Sequence, residues 1–258
     1  MNGLLIARDG ALVRLTLNRP EALNALDVDT AQALLAACRE IQQDTTVRAV
    51  LLAGSGRAFA AGGDLAQMRA DPVRVADALI GPLHEALAIL ATIDAPVIAA
   101  LHGVVAGAGV SLAAAADLAI AAEGTKFNLA YVNVGTSCDL GSTWSLPRLV
   151  GLRRALEIAL LGDTFDAAHA LQIGLVNRVV AKDQLAPEAD ALAKRLANGP
   201  TLALGRMKRL MRTSFERSFA QQLDAERSAF LESAATSDFR EGLAAFLDKR
   251  PARFTGQR

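Results

Sequence analysis

Cysteine is nearly absent from this chain: Cys38 and Cys138 are its two in 258 residues. Two cannot build a disulfide framework, and such scarcity fits a reducing, cytoplasmic setting. An excess of either charge is absent too. Lys plus Arg number 27 and Asp plus Glu 27, which leaves no global field to draw in nucleic acid or an anionic membrane, and neither is expected as a partner. Any anionic ligand must therefore be held locally. Histidine occurs three times, as His84 in a helical pattern, His102 at a strand end and His169 on an amphipathic helix. No spacing gathers these into a metal site, no metal is expected, and packing or exposure accounts for each. One uncharged run, Ala95 to Ala116, has the length of a membrane span. It is mostly alanine, interrupted by His102, Gly103, Gly107, Gly109 and Ser111, which reads better as a buried strand, a Gly-rich turn and an Ala-rich helix. Internal repeats are lacking.

What is there alternates. The N-terminus, MNGLLIARDGALVRLTLNRP, reads as a β-hairpin about Asp9-Gly10 and not as a signal peptide. Strand-like runs follow at Leu12 to Leu17, Val47 to Ala53, Val97 to Leu101 and Leu118 to Ala121, with helical patterns at Asp27 to Gln43 and Pro72 to Thr92 between them. That order argues for an α/β core. After Trp144 the strands are expected to stop, and from Asp163 onward the period is helical. The length suits a core, placed at residues 1–195, with a helical appendage at 196–258 and a loose polar tail from Arg250 to Arg258.

Three stretches could carry chemistry. In Phe59-Ala-Ala-Gly-Gly-Asp64-Leu65, consecutive small residues let a ligand approach the backbone, and amides leading into a helix can bind negative charge. Asp64 could equally be a helix N-cap. In His102-Gly-Val-Val-Ala-Gly-Ala-Gly109-Val-Ser111, a strand empties into a Gly-rich loop. It lacks the third glycine and distal acid of a dinucleotide turn. Ser111, Asp139 and His169 come in the chain order of a hydrolase triad, but Ser111 falls inside a predicted helix and not at a strand tip. In the third stretch, Phe127-Asn-Leu-Ala-Tyr131 to Trp144-Ser-Leu-Pro-Arg148, Asp139 precedes a short helical pattern whose dipole favours the carboxylate while apolar surroundings oppose it. It could serve as a base or merely cap that helix. The basic run Arg206-Met-Lys-Arg-Leu-Met-Arg212 reads as a solvated helix face.

Taken in order, and with Leu17-Asn-Arg-Pro-Glu-Ala-Leu-Asn24, Gly174-Leu-Val-Asn-Arg-Val, Asp238-Phe-Arg-Glu-Gly and Phe246-Leu-Asp-Lys-Arg250, these stretches resemble the enoyl-CoA hydratase/isomerase (crotonase) family over nearly the whole chain. The resemblance implies a crotonase-like α/β spiral of ββα units with an all-helical C-terminal region that packs the protein into homotrimers, or hexamers. It implies an acyl-CoA thioester as substrate, with coenzyme A part of that substrate and no separate cofactor. The amides of Gly63 and Ala108 would form an oxyanion hole. Ala22, Ala60, Ala61, Asp64, Leu65 and Tyr131 would contact the coenzyme A or acyl group, with Phe230 and Lys249 reaching it from the C-terminal helices.

Where this sequence departs from the family matters more. The positions matching the two glutamates of the hydratases hold Ser111 and Tyr131, and a missing general acid or base costs about 10²- to 10⁴-fold. Asp139 matches the acid used by some family isomerases, and its surroundings look most like the phenylacetate-pathway, PaaG-type enoyl-CoA isomerases. The resemblance thus implies a double-bond isomerase with Asp139 as proton shuttle. A hydratase, a non-catalytic coenzyme A- or RNA-binding member and a Ser111 hydrolase are the rival readings.

Overall fold

The computed structural model describes residues 3–256. Strands β1 (Leu4–Asp9) and β2 (Leu12–Leu17) pair antiparallel about Gly10, at φ 59°, a turn that glycine takes without Cβ strain. Helix α1 (Val28–Gln43) starts at Asp27, whose carboxylate accepts from the Thr30 amide. Its stripe of Ala31, Leu34, Leu35, Cys38 and Ile41 is buried, as spacing by three and four requires.

From there the chain winds in a repeated step of long strand, short strand and helix. Strand β3 (Ala49–Gly54) leads to β4 (Ala58–Ala60), α2 (Leu65–Met68) and α3 (Pro72–Thr92). The next step is β5 (Val97–Leu101), β6 (Val104–Ala106) and α4 (Ala108–Ala115). A third follows as β7 (Leu118–Ala122), β8 (Lys126–Asn128), α5 (Ser142–Val150) and α6 (Leu152–Leu161). Then come β9 (Phe165–Asp166), α7 (Ala167–Gln172), β10 (Arg178–Val180) and helices α8 (Leu185–Ala197), α9 (Thr201–Arg212), α10 (Phe219–Ala234) and α11 (Ser237–Leu247). The long strands form a six-stranded sheet ordered β1-β2-β3-β5-β7-β10, and the short ones a four-stranded sheet ordered β4-β6-β8-β9.

The central strands are buried on both sides, with the two-residue period of a pleated sheet. Val50, Leu52, Val97, Ala99, Leu101, Ala119 and Ala121 face the main core. Ala49, Leu51, Ile98, Ala100, Ile120 and Ala122 face α8, which covers them with Leu185, Ala189, Ala193 and Ala197. Helix α3 is long and apolar enough to cross a membrane. Here it packs on α1 and buries Val75, Leu79, Leu83, Ala86, Ile89 and Leu90 in the core.

Three sequence expectations are corrected. Strands do not stop at Trp144, because β9 and β10 each add to the end of a sheet. They are two and three residues long, too short to carry a period, and β9 is held by pairing with β8 and by Phe165 stacked on Phe127. The basic run in α9 is not a solvated face. Lys208 is 6% exposed and pairs with Asp117, Arg212 joins the same carboxylate, and Arg209 pairs with Asp94. The tail is also fixed, since the amides of Thr255 and Gly256 both donate to the Asp238 carboxylate; Gln257 and Arg258 lie outside the described residues.

Candidate functional site

Strands β4 and β6 run parallel, so the glycines that follow them arrive side by side. A Cβ on Gly62 would lie 3.7 Å from the amide nitrogen of Ala108. Ala108 opens α4 behind Gly107, whose φ of 49° and ψ of −120° suit a residue without a side chain. Among the described residues, the amides of Gly63 and Ala108 have no hydrogen-bond acceptor. The first turn of any helix leaves such donors open. For Gly63 the cause is a bridge to Leu26 that engages the Leu26 and Asp64 amides and leaves the Gly63 amide facing away. Two open amides on adjacent strand ends can stabilise an oxyanion.

The segment from Arg19 to Leu26 is the scaffold for this arrangement. Leu23 and Asn24 take the left-handed conformation, and buried Asn24 spends its amide group on the carbonyls of Ser55 and Ala58. The Leu23 carbonyl accepts from Ala61, and the Leu26 amide donates to Gly62. Ala22, Ala60, Ala61, Asp64 and Leu65 are thereby gathered beside Gly63. Arg19, which sequence reasoning passed over, ties the scaffold together: its guanidinium bonds Asp64 at 2.9 Å, Asp27 at 3.1 Å and the Ala25 carbonyl at 2.7 Å. Asp64 itself caps α2 through the Ala66 and Gln67 amides. Burial would raise its pKa, but the Gln67 amide and Arg19 hold it below the usual carboxylate value. Leu65 is 54% exposed, an apolar side chain beside the open amides with little covering it.

Asp139 does not cap α5. The helix begins behind Gly141, and only the Asp139 carbonyl bonds Ser142. Its carboxylate turns instead to Tyr131, whose hydroxyl donates to Oδ1. Ser111 lies 3.0 Å from that hydroxyl and is fully buried. The two residues at the glutamate-matching positions therefore join Asp139 in one hydrogen-bonded chain. Burial raises the Asp139 pKa, opposed by the Tyr131 hydrogen bond and by His84. Burial and the Asp139 charge likewise raise Tyr131. His84, predicted to be mere packing or solvent exposure, accepts from the Leu140 amide at 3.2 Å and so braces the residue after Asp139 from α3. A lone histidine at helical spacing gave no signal of this.

A cavity of about 830 Å³ opens past Leu140 and Gly141 between α3, α5, α9 and α10, lined also by His84, Leu87 and Ala91. Its walls touch the neighbours of Asp139 and not the amide pair. Phe230 and Lys249 are not brought to the site within one chain. Phe230 is exposed on α10 with its ring against Phe239, and Lys249 is exposed past α11 in a left-handed conformation. The hydrolase triad is not assembled either: Ser111 sits within α4 against Tyr131, and His169 packs on Phe165. Among the described residues no cluster of His, Cys, Asp or Glu could hold a metal ion.

The chain is 40% identical to a 1,2-epoxyphenylacetyl-CoA isomerase of Escherichia coli (strain K12), over all of both chains. It is 33% identical to a crotonyl-CoA hydratase of Syntrophomonas wolfei, over 97% of each. The crystal structure of an enoyl-CoA hydratase from Polaromonas sp. JS666 superposes with a TM-score of 0.92 at 34% identity, covering 97% of this chain and 99% of that one. The family model described as enoyl-CoA hydratase/isomerase matches residues 7–257. With this spiral fold and match, the chain belongs to the enoyl-CoA hydratase/isomerase family, a family of enzymes.

Proposed function

We propose that the protein is an acyl-CoA double-bond isomerase in which Asp139 is a single proton shuttle. The observation that carries this is the pairing of one half-buried carboxylate, Asp139, with hydroxyls alone at positions 111 and 131. On a 3-enoyl-CoA, Asp139 takes the proton from the carbon between thioester and alkene. The amides of Gly63 and Ala108 hold the dienolate oxygen, each contributing on the order of 3 kcal/mol. Asp139 then returns the proton two carbons away, so the substrate mass is unchanged. A carboxylate raised by burial suits both halves, since it must accept and release within one turnover. Coenzyme A is part of the substrate, held beside Ala22, Ala60, Ala61, Asp64 and Leu65, with Tyr131 at the acyl end and no separate cofactor. Phe230 and Lys249, which stand away from the site in a single chain, complete it from the helical region 196–258 of a neighbouring protomer, and that region together with α6 assembles the protein as a homotrimer or hexamer in the cytoplasm.

The crotonyl-CoA hydratase among the relatives favours a second reading, in which Asp139 and Tyr131 organise water. One assay separates the two: 3-enoyl-CoA isomerisation followed beside crotonyl-CoA hydration by ultraviolet absorbance and mass. The isomerase reading expects the first to dominate and Asp139→Asn to abolish it. Full isomerase rate in Asp139→Asn overturns that reading, and hydration exceeding isomerisation replaces it with the hydratase.

A further inference from the structure

The Ser111–Tyr131–Asp139 chain has a fixed direction. Tyr131 has one hydroxyl proton and gives it to Oδ1 of Asp139. A carboxylate can only accept. The contact between Ser111 and Tyr131 must then run from the serine, since the tyrosine proton is already spent. Among the described residues no other residue donates to the second oxygen, Oδ2. Ser111 also lies one helical turn after Ala108 on α4, so the chain links the carboxylate to the helix that starts with an open amide. Left-handed backbone at Ala130, Leu140 and Gly141 brackets the two loop members of the chain.

We propose, on the reading of Asp139 as the acid–base group, that Tyr131 and Ser111 are positioning residues that lock Oδ1 and leave Oδ2 alone to take and return the substrate proton. A proton arriving on Oδ1 would neutralise the oxygen that the tyrosine hydroxyl bonds and weaken that charge-assisted hydrogen bond in a buried site, where such a loss is costly. The transferred proton therefore stays on Oδ2, facing the dienolate, and goes back to the same face of it. Because Ser111 and Ala108 share one helix, oxygen and amide are held at a constant separation. The titratable groups facing Asp139 are Tyr131, His84 from α3 and the adjacent Cys138. Of these, Tyr131 is the one bonded to the carboxylate, and it pulls the carboxyl down against burial.

The test uses Tyr131→Phe and Ser111→Ala in the full chain, with two readouts. Carbon-13 NMR of labelled aspartate, assigned with Asp139→Asn, follows the Asp139 carboxyl and needs no turnover. Its titration is expected to move to higher pH in Tyr131→Phe, and less far in the same direction in Ser111→Ala. On 3-enoyl-CoA, kcat is expected to fall about 10- to 100-fold in Tyr131→Phe, as for a misplaced catalytic group, with KM within about threefold, and the acid limb of its pH profile should move up with the carboxyl. A substitution that merely loosened the fold would lower the fraction of active enzyme and leave that limb in place. An unchanged Asp139 titration in folded Tyr131→Phe overturns the proposal whatever the activity, and an unchanged one in Ser111→Ala removes the serine from it. Retained isomerase rate in Asp139→Asn would instead sink the functional reading, with the titration still reporting on the hydrogen-bonded tie.

Discussion

At Gly109 the backbone leaves no room for a methyl group: a Cβ there would sit 2.4 Å from the Ala60 carbonyl oxygen. Helix α4 lies on β4 at the distance only glycine allows, and Ala108, with its open amide, is the neighbouring residue. Gly109→Ala is therefore expected to push α4 away and lower kcat/KM by about 100-fold, with the circular dichroism spectrum preserved. Gly81 on α3 is the control, because a Cβ there meets nothing within 4 Å outside its chain neighbours. Gly81→Ala should leave kinetics unchanged, and it brings no gain in stability because the new Cβ meets the ring of Pro82, the next residue of α3. Asp139 carries a stability consequence of its own. Burial raises its folded pKa above the ordinary 3.8, so the folded state binds this proton more tightly than the unfolded chain does. That contribution is fully present below the unfolded value and is lost as pH rises through the folded one. At neutral pH the ionised group thus costs stability. Asp139→Asn, which keeps an acceptor for Tyr131, is expected to raise Tm at pH 7, with the difference shrinking toward pH 4; an equal gain at both would refute the linkage.

Among the elements, α9 is fastened most deliberately. Lys208 reaches Asp117 at 2.8 Å and the Leu90 carbonyl at 2.6 Å, and Arg212 adds a second cation to Asp117 at 2.7 Å. Lys208→Met should cost on the order of 2 kcal/mol, because charged hydrogen bonds are lost in a buried place; chemical denaturation measures it. This seam also shows what the sequence could not express. A row of basic residues looks alike whether water or buried aspartates receive it, and Asp94 and Asp117 lie more than ninety positions earlier. The long strands and α1 and α3 were legible because a period of two or of 3.6 needs several residues to declare itself, and β2, β5 and α3 begin and end where that pattern does. The four-stranded sheet was not, since its strands have two or three residues each. Yet this sheet aligns Gly63 with Ala108. In the site, glycine runs and Asp139 stood out by type, whereas Arg19 ties Asp27, Asp64 and the Ala25 carbonyl and His84 takes the Leu140 amide, contacts that no local spacing encodes.

On the scale of the whole molecule, the chain gathers several exposed apolar side chains on one helix. Leu152, Leu156 and Leu160 form an exposed stripe along α6, beside exposed Leu149 and Leu161. The Val132–Val134 turn, with both valines exposed, packs against the same helix. An exposed apolar patch of this kind suits a surface for assembly. The patch is wired to the site, because Asn128 and Asn133 both bond the Gly162 carbonyl at the end of α6. Those asparagines flank Tyr131, so a partner packed on α6 would steady the loop that runs from Tyr131 to Asp139. For the homotrimer or hexamer proposed above, light scattering is expected to give three or six chain masses in solution. Leu156→Glu combined with Leu160→Glu should dissociate the assembly and lower kcat in step with the fraction dissociated, although neither residue touches Asp139. A wild-type protein that stays monomeric at micromolar concentration refutes the assembly, and a dissociated variant with full kcat refutes its coupling to the loop.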